Sequence, residues 1–421
     1  MSGKKLLRGV SLVGAGMSKF GAFREKNSRD LFVEAFKDMS SSVDKGLDPT
    51  QIENFYLGNF SSDLFEHQGH TAPLMAEAVG IIPVPSTRVE DACASGAVAL
   101  RQGVMAIASG MNDVVLVGGA EKMTNLPTAD VTDTLATAAD LPFEIAAGFT
   151  FPGFYAAMAT AYMAKYGMKS EHLMNVAIKN HNNGALNPNA QFGVTIPKWM
   201  EGRIASAKKK GKPVPTWSDI WDFLNDNAAN PMIAWPLRLF DCSPITDGAS
   251  ALLLVAEERA KEFSNAPLNI LASTQASDVS LHNRDDLTTL PAAKLAAMQA
   301  YEMAGVNAGD IRIAEVHDCF TIAEVIASED IGYFKLGEGY KAAEEGITAR
   351  LGTKPINTSG GLKSKGHPVG ASGVAQVFEI WKQMRGEAGE RQVPGDISLA
   401  LAHNVGATGS TCVVHIFERR G

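Results

Sequence analysis

Four turns in this 421-residue chain carry side chains that could do chemistry, each at a strand end, a helix start or a glycine cluster. Cys93 lies in V-E-D-A-C-A-S-G at 89–96, just ahead of a helix-spaced run, Ala94–Ala108. The first N–H groups of a helix carry partial positive charge, so a thiol there is expected to have a lowered pKa, and the thiolate is the form that attacks carbon. The alternative is a buried cysteine used as a small apolar residue. His317 and Cys319 lie two apart in H-D-C-F, where the apolar run Ile311–Val316 ends. His367 sits between Gly366 and Pro368, with Gly370 and Gly373 permitting close backbone approach. His403 and Asn404 are expected to follow the apolar strand Ile397–Ala402, with Gly406 next.

Catalysis at sulfur needs a base, and either His367 or His403 could serve. It also needs donors for the oxyanion formed on the attacked carbonyl: a backbone N–H of Cys93 or Gly406 and an imidazole N–H would suit. Cys319, a second thiol, could exchange a proton with carbon. Two other uses of these residues are a zinc site, disfavoured by the lack of close ligand pairs, and a redox disulfide between Cys93 and Cys319.

The elements that must hold these turns alternate. Val10–Val13, Asn54–Leu57 and Val114–Val117 read as strands, the last ended by Gly118–Gly119; Arg29–Met39, Thr71–Val79 and the Cys93 helix read as helices. From Glu121 to about Asp241 the pattern breaks into long irregular stretches, with helical candidates only at Gly153–Tyr166 and Glu171–Asn182. Alternation resumes with strands at Ala251–Val255, Leu268–Ser273, Ile311–Val316, Ile397–Ala402 and Thr411–Phe417, and helices at Ala292–Ala304, Thr321–Asp330 and Val374–Arg385. This predicts an α/β protein with helices on a mostly parallel sheet, whose ligand sites gather at strand carboxyl ends. A strand, a reactive turn and a helix recur around Cys93 and around Cys319, which suggests a duplicated fold.

The chain is 45% hydrophobic and 20% charged, ordinary for a soluble globular protein, and its formal net charge of −8 lacks the basic footprint of general nucleic-acid binding. The 4 cysteines are widely spaced without a CxxC pair, as in a reducing compartment. Arg8 interrupts the apolar run after Lys4 and Lys5, Glu418–Gly421 is not a peroxisomal tripeptide, and no run reaches membrane-spanning length, so a cytoplasmic protein without a membrane association is expected. The run Lys208-Lys209-Lys210-Gly211-Lys212 reads either as a solvated basic turn or as a clamp for a ligand's phosphates.

Taken together, D-A-C-A-S-G at 91–96, G-G-A-E at 118–121, H-D-C-F at 317–320, G-G-L-K-S-K-G-H-P-V-G-A-S-G at 360–373 and H-N-V-G at 403–406 resemble the thiolase superfamily, in the family's order and across nearly the whole chain. The nearest likeness is to the sterol-carrier-protein-x type. The resemblance implies a five-layered α-β-α-β-α thiolase fold: an N-terminal half at 1–120 plus 246–272, an inserted loop domain at 121–245 covering the CoA and acyl site, and a C-terminal half at 273–421. It makes Cys93 the acylated nucleophile and His367 its activator and an oxyanion donor. His317 would help hold the thioester oxygen, and the N–H groups of Gly406 and Cys93 would form a second oxyanion hole. Ordinary thiolases use a cysteine in a C-x-G motif as acid/base. Here Asn404 stands at that position, and since an amide nitrogen cannot accept the proton, the resemblance passes the role to Cys319.

The expected activity is thiolytic cleavage of a 3-ketoacyl-CoA, or the reverse Claisen condensation, with coenzyme A as substrate, no bound cofactor and no metal. The aromatic stretch Phe149–Met158 suggests a bulky, branched or aromatic acyl group. Lys208, Lys209 and Lys210 are candidates for the CoA phosphates. The resemblance implies at least a homodimer and admits a small zinc-ribbon/OB-fold acyl-CoA-binding partner. Two alternatives stand beside it: a non-catalytic CoA-thioester-binding subunit, and a thiolase-fold condensing or aldolase-type enzyme.

Overall fold

The structure is a computed structural model describing residues 5–420. The chain opens with β1 (Val10–Met17), α1 (Ser28–Ser41), β2 (Asn54–Gly58), the single turn α2 (Ser62–Phe65), α3 (Thr71–Ala78), β3 (Ser86–Val89), α4 (Ser95–Ala108) and β4 (Val114–Glu121). Next come α5 (Thr128–Ala136), α6 (Phe151–Tyr166), α7 (Ser170–Gly184), α8 (Ile196–Lys209), α9 (Ile220–Asn225) and a hairpin of β5 (Met232–Ala234) and β6 (Leu237–Arg238). After it lie β7 (Gly248–Ala256), α10 (Ala260–Phe263), β8 (Leu268–Ser277), α11 (Pro291–Ala304), β9 (Ile313–Val316), α12 (Thr321–Asp330), α13 (Gly361–Ser364), α14 (Ser372–Met384), β10 (Leu399–Gly406) and β11 (Thr411–Glu418).

The 9-stranded ladder runs β3-β2-β4-β7-β1-β8-β11-β10-β9. Its two sides meet at a narrow seam, where β1 and β8 pair only at Ser11↔Asn269 and Leu12↔Leu268. Parallel pairing is confined to β3-β2-β4 and to β10 with β9; the remaining pairs are antiparallel, so the sheet is mixed rather than mostly parallel.

Burial resolves the layers. One outer core joins α1 and α3 to the first part of the sheet through Leu31, Phe32, Phe55 and Met75. A middle core places α4 and α14 between the two sides through Leu100, Val104, Val374 and Trp381. A second outer core joins α6, α11 and α12 to the second part through Tyr155, Ala296, Ile322 and Val414. This is an α-β-α-β-α stack. Strands β1, β4 and β7 are buried along their whole length, which is why they read as continuous apolar runs rather than alternating ones.

Four further sequence expectations change. Strand β4 does not stop at Gly118–Gly119 but runs through both to Glu121. The glycines are there because a Cβ on Gly119 would lie 2.4 Å from the Gly370 carbonyl oxygen, so that turn packs directly on the strand. His403 and Asn404 likewise lie within β10, paired with Val414 and Val413, not in a turn after it. The stretch after β4 holds three further helices. In α8 only Ile196 is buried, too little apolar surface to mark a helical period. The turns that lead into the middle layer are those of Cys93 and His367, through α4 and α14, rather than those of Cys93 and Cys319.

Candidate active site

Between β3 and α4 the chain makes a 3-10 turn, Ala92–Ala94, with Cys93 at its centre. Ser95 pins the turn: its hydroxyl donates to the Ala92 carbonyl at 2.6 Å and accepts from the Asp91 N–H at 2.9 Å. Ala92 is held at φ 47°, a left-handed conformation costly for a residue with a Cβ, so the turn is over-determined by its surroundings. Gly96, the second residue of α4, lies against the Gly370 carbonyl, where a Cβ would approach to 2.6 Å. The nucleophile candidate and the His367 turn therefore touch through backbone.

The expected depression of the Cys93 pKa is not found. Burial pushes the thiol up to about 12, and the Ala407 N–H directed at the sulfur offsets only part of that. Burial also pulls His367 down to about 3, helped by the nearby Lys365. At neutral pH the pair is thus a thiol and a neutral imidazole, and a thiolate forms only as the proton moves between them.

The tautomer of His367 follows from its partner. The Ser372 hydroxyl donates to the Pro368 carbonyl at 2.8 Å, so it can only accept at the 2.7 Å contact with His367 Nδ1. Nδ1 therefore carries the proton and Nε2 presents its lone pair. The His367 N–H donates to Thr246 Oγ1 at 3.0 Å, which fixes the backbone of the same turn. Glu121, at the end of β4, ties that turn to the loop after β2, accepting from the N–H groups of Gly370 at 2.9 Å, Phe60 at 2.8 Å and Ser61 at 3.1 Å.

His317 is set by a second such argument. Asn404 Nδ2 lies 3.0 Å from His317 Nδ1; an amide nitrogen only donates, so the imidazole proton sits on Nε2. That Nε2–H is buried without a partner among the described residues, a donor waiting for an acceptor. Asn404 thus has its nitrogen occupied in orienting His317. His403 stands behind: its Nδ1 lies 3.4 Å from the His317 N–H, and it is absent from the cavity wall. Gly406, the last residue of β10, packs against the Asp91 carbonyl, where a Cβ would come to 2.8 Å.

One ligating atom each from Cys93, His317 and His367 lie within 4.8 Å of one another. Such a trio has the donor types of a metal site, but His317 offers an N–H rather than a lone pair, and an N–H suits an oxygen acceptor. Cys319 is buried on the wall of the same cavity, its thiol pushed well up by burial. Asp318, between His317 and Cys319, turns the other way and accepts from the Leu362 N–H at 2.6 Å and Asn180 Nδ2 at 2.8 Å, anchoring α13 and α7. The Cys319 carbonyl accepts from the Ser243 N–H at 2.9 Å, stitching the end of the long β4–β7 connection to this turn.

The cavity that Cys93, Cys319 and His367 line has a volume of about 350 Å³. Val131, Leu135, Phe151, Ile233 and Phe320 are among its walls, and no Asp, Glu, Lys or Arg lines it among the described residues. Lys208, Lys209 and Lys210 are elsewhere, exposed at the end of α8, where positive charge also suits the helix dipole. Of the three, Lys210 lines a separate cavity of about 280 Å³ with Arg203, Lys212, Trp217 and Asp226. Sequence reasoning missed Ser372, Thr246, Tyr155 and Ala407. Thr246, Tyr155 and Ala407 act on residues distant in sequence, and Ser372 acts within its own glycine-rich run through a side-chain contact that spacing does not mark.

Comparisons with known proteins identify the family. Residues 10–258 match the family model "Thiolase, N-terminal domain", and residues 273–419 match "Thiolase C-terminal domain-like". The chain is 42% identical to an acetyl-CoA acetyltransferase of Methanothermobacter thermautotrophicus, over 98% of this chain and 100% of that one. It is 32% identical to benzoylsuccinyl-CoA thiolase subunit BbsB of Thauera aromatica, over 97% and 96% of the two chains. Among solved structures, an Ltp2-ChsH2(DUF35) aldolase superposes with a TM-score of 0.78 at 23% identity, covering 97% of this chain and 98% of that chain.

Proposed function

The chain belongs to the thiolase family and is an acyltransferase, and from that premise we propose that it cleaves a 3-ketoacyl-CoA with coenzyme A, or runs the reverse condensation, through an acyl group on Cys93. The observation that carries this reading is the convergence of Cys93, His317 and His367 within 4.8 Å, with Cys93, His367 and Cys319 lining one apolar cavity.

In the cleavage direction Cys93 Sγ attacks the keto carbon as its proton passes to His367 Nε2. The oxyanion formed there accepts from the N–H groups of Cys93 and Gly406. Collapse breaks the carbon–carbon bond, and the electron pair left on the departing acyl-CoA takes the proton of Cys319. During that step the thioester oxygen of the leaving group is held by His317 Nε2–H and by the newly protonated His367. Coenzyme A then gives its thiol proton to the Cys319 thiolate and attacks the Cys93 thioester. Cys93 leaves as thiolate and recovers its proton from His367, so both cysteines and the histidine end as they began.

An uncharged, apolar acyl group suits walls that carry no charged side chain among the described residues, and the volume of about 350 Å³ suits a branched or aromatic one. Lys210, beside Lys212 and Arg203, is the best placed of the three lysines for a CoA phosphate, with Lys208 and Lys209 as outlying charges. A homodimer, a zinc-ribbon/OB-fold partner and a cytoplasmic location complete the reading. The partner is supported by the DUF35 component named in the superposed aldolase and by the subunit status of the Thauera relative. No helix among the described residues is long and apolar enough to cross a membrane.

The test is mass spectrometry of the protein after incubation with acyl-CoAs of graded size. The expected adduct maps to Cys93 and disappears in Cys93→Ser. Cys319→Ala is expected to acylate yet fail to break the carbon–carbon bond, and normal thiolysis by that variant would remove Cys319 from the mechanism.

A further inference from the structure

Tyr155 is a buried polar residue at the site that the steps above do not use. It lies on α6, 1% exposed, with its ring stacked on Phe320 at a centroid distance of 4.6 Å and an interplanar angle of 28°. The stack directs its hydroxyl toward the strap after β10, where it donates to the Ala407 carbonyl at 3.3 Å, a long and weak hydrogen bond. Cys319 immediately precedes the stacked Phe320, and the Tyr155 hydroxyl and the Cys319 thiol lie near enough that each shifts the other's ionisation. Ala407 is itself held at φ 52°, and its N–H is directed at Cys93. One peptide strap therefore serves Cys93 with its donor and Tyr155 with its acceptor.

A hydroxyl has one proton to give. While Cys319 is a thiol, the Tyr155 proton can rest on the Ala407 carbonyl and the oxygen can accept from the S–H. Once Cys319 has lost its proton to carbon, the sulfur becomes the stronger acceptor, and a small rotation of the O–H turns the donor onto it. We propose that Tyr155 is a positioning residue for proton transfer at Cys319, its hydroxyl alternating between the Ala407 carbonyl and the Cys319 thiolate. The Phe320 backbone N–H also favours the thiolate, and the Tyr155 hydroxyl is the side-chain group that adds to it. The surrounding wall is apolar, and burial, with Cys93 and Asp318 nearby, drives the thiol away from ionisation. The proposal rests on the reading of Cys319 as acid/base and adds to it the group that makes a buried thiolate tolerable. No bond to Tyr155 forms or breaks; the carbon-bound proton moves only between substrate and Cys319 sulfur.

The experiment pairs a thiol-reactivity assay with turnover, using Tyr155→Phe, which keeps the ring stack. Iodoacetamide labelling at about pH 8, below the ordinary thiol range, reports the thiolate fraction, read separately at Cys319 and Cys93 by peptide mapping. Loss of a hydrogen bond to a charged group predicts that labelling of Cys319 slows by about tenfold to a hundredfold, with Cys93 much less affected. Removing the hydroxyl opens access to the sulfur, so a steric effect would move the rate the other way. Unchanged labelling of Cys319 in a folded Tyr155→Phe protein overturns the proposal. In acetoacetyl-CoA thiolysis kcat is expected to fall by a similar factor with little change in KM, and the substitution should add nothing in a Cys319→Ala background. An equal further loss there would also overturn it. Full turnover by Cys319→Ala alone would instead remove the acid/base reading, while the labelling result would still decide whether Tyr155 serves the thiolate.

Discussion

Asn404 Nδ2 lies 3.0 Å from His317 Nδ1, and through that one contact a residue that cannot move a proton decides which histidine nitrogen bears one. The consequence is testable. Asn404→Ala leaves Nδ1 without its donor, so the proton distributes between the two ring nitrogens and the oxyanion donor is diluted. Loss of a preorganised donor predicts a fall in kcat of about tenfold to a hundredfold, with KM nearly unchanged. Steady-state kinetics beside a thermal melt separates this from unfolding.

Between His367 at about 3 and Cys93 at about 12, the resting pair keeps the same protonation across the whole neutral range. The rate of Cys93 acylation should therefore show no inflection near the ordinary imidazole value of about 6.5 and should fall only in strong acid, once His367 protonates. Ser372→Ala removes the acceptor that holds Nδ1–H. It should slow acylation by about tenfold while leaving the profile flat, as read by stopped mass spectrometry across pH.

Glu121 is buried and its carboxyl is pushed up to about 7, chiefly by desolvation. Its folded value lies above the unfolded one, so the native state binds the extra proton. Stability from this group is fully present below about 4.5 and is lost as pH rises through about 7. Asp330 behaves in the same sense. Melting temperature should therefore decline across that window, and Glu121→Gln should flatten part of the slope. The same substitution turns an amide N–H toward either the Phe60 and Gly370 donors or the Ser61 and Asn59 donors, so the variant should melt lower at every pH.

Val131 lines the acyl cavity from α5. Val131→Phe fills part of it and leaves Cys93, His317 and His367 themselves unchanged. Long or branched acyl-CoAs should lose about tenfold or more in kcat/KM while acetyl-CoA is little affected. Competition assays between short and long thioesters read this directly.

The sequence made legible those parts of the molecule whose causes are local. Small residues around Cys93, glycines around His367 and the strand before His317 all mark turns in their own few residues. What failed was decided at a distance. Gly118 and Gly119 read as a stop because their partners, Phe32 and the Gly370 carbonyl, lie far away in the chain. The Cys93 pKa was misjudged because the helix start is a local feature, whereas burial is the sum of the middle and outer layers. Ser372 was hidden in a glycine-rich run whose spacing says nothing of hydrogen bonds. The mixed direction of the sheet depended on pairings such as β1 with β7, more than two hundred residues apart.

The seam between β1 and β8 has a consequence for how the protein is made. Cys93 lies on one side of it and His317, Cys319 and Asn404 on the other, while the His367 turn packs on β4 from the middle layer; His367 and Asn404 come from beyond residue 360. While the ribosome is still adding those residues, the emerging chain has its sulfur but neither the His367 imidazole nor the amide that orients His317. Until the second side docks, Cys93 also lacks the burial that pushes its thiol up to about 12. Order of synthesis therefore sets the moment at which the cysteine becomes both buried and partnered.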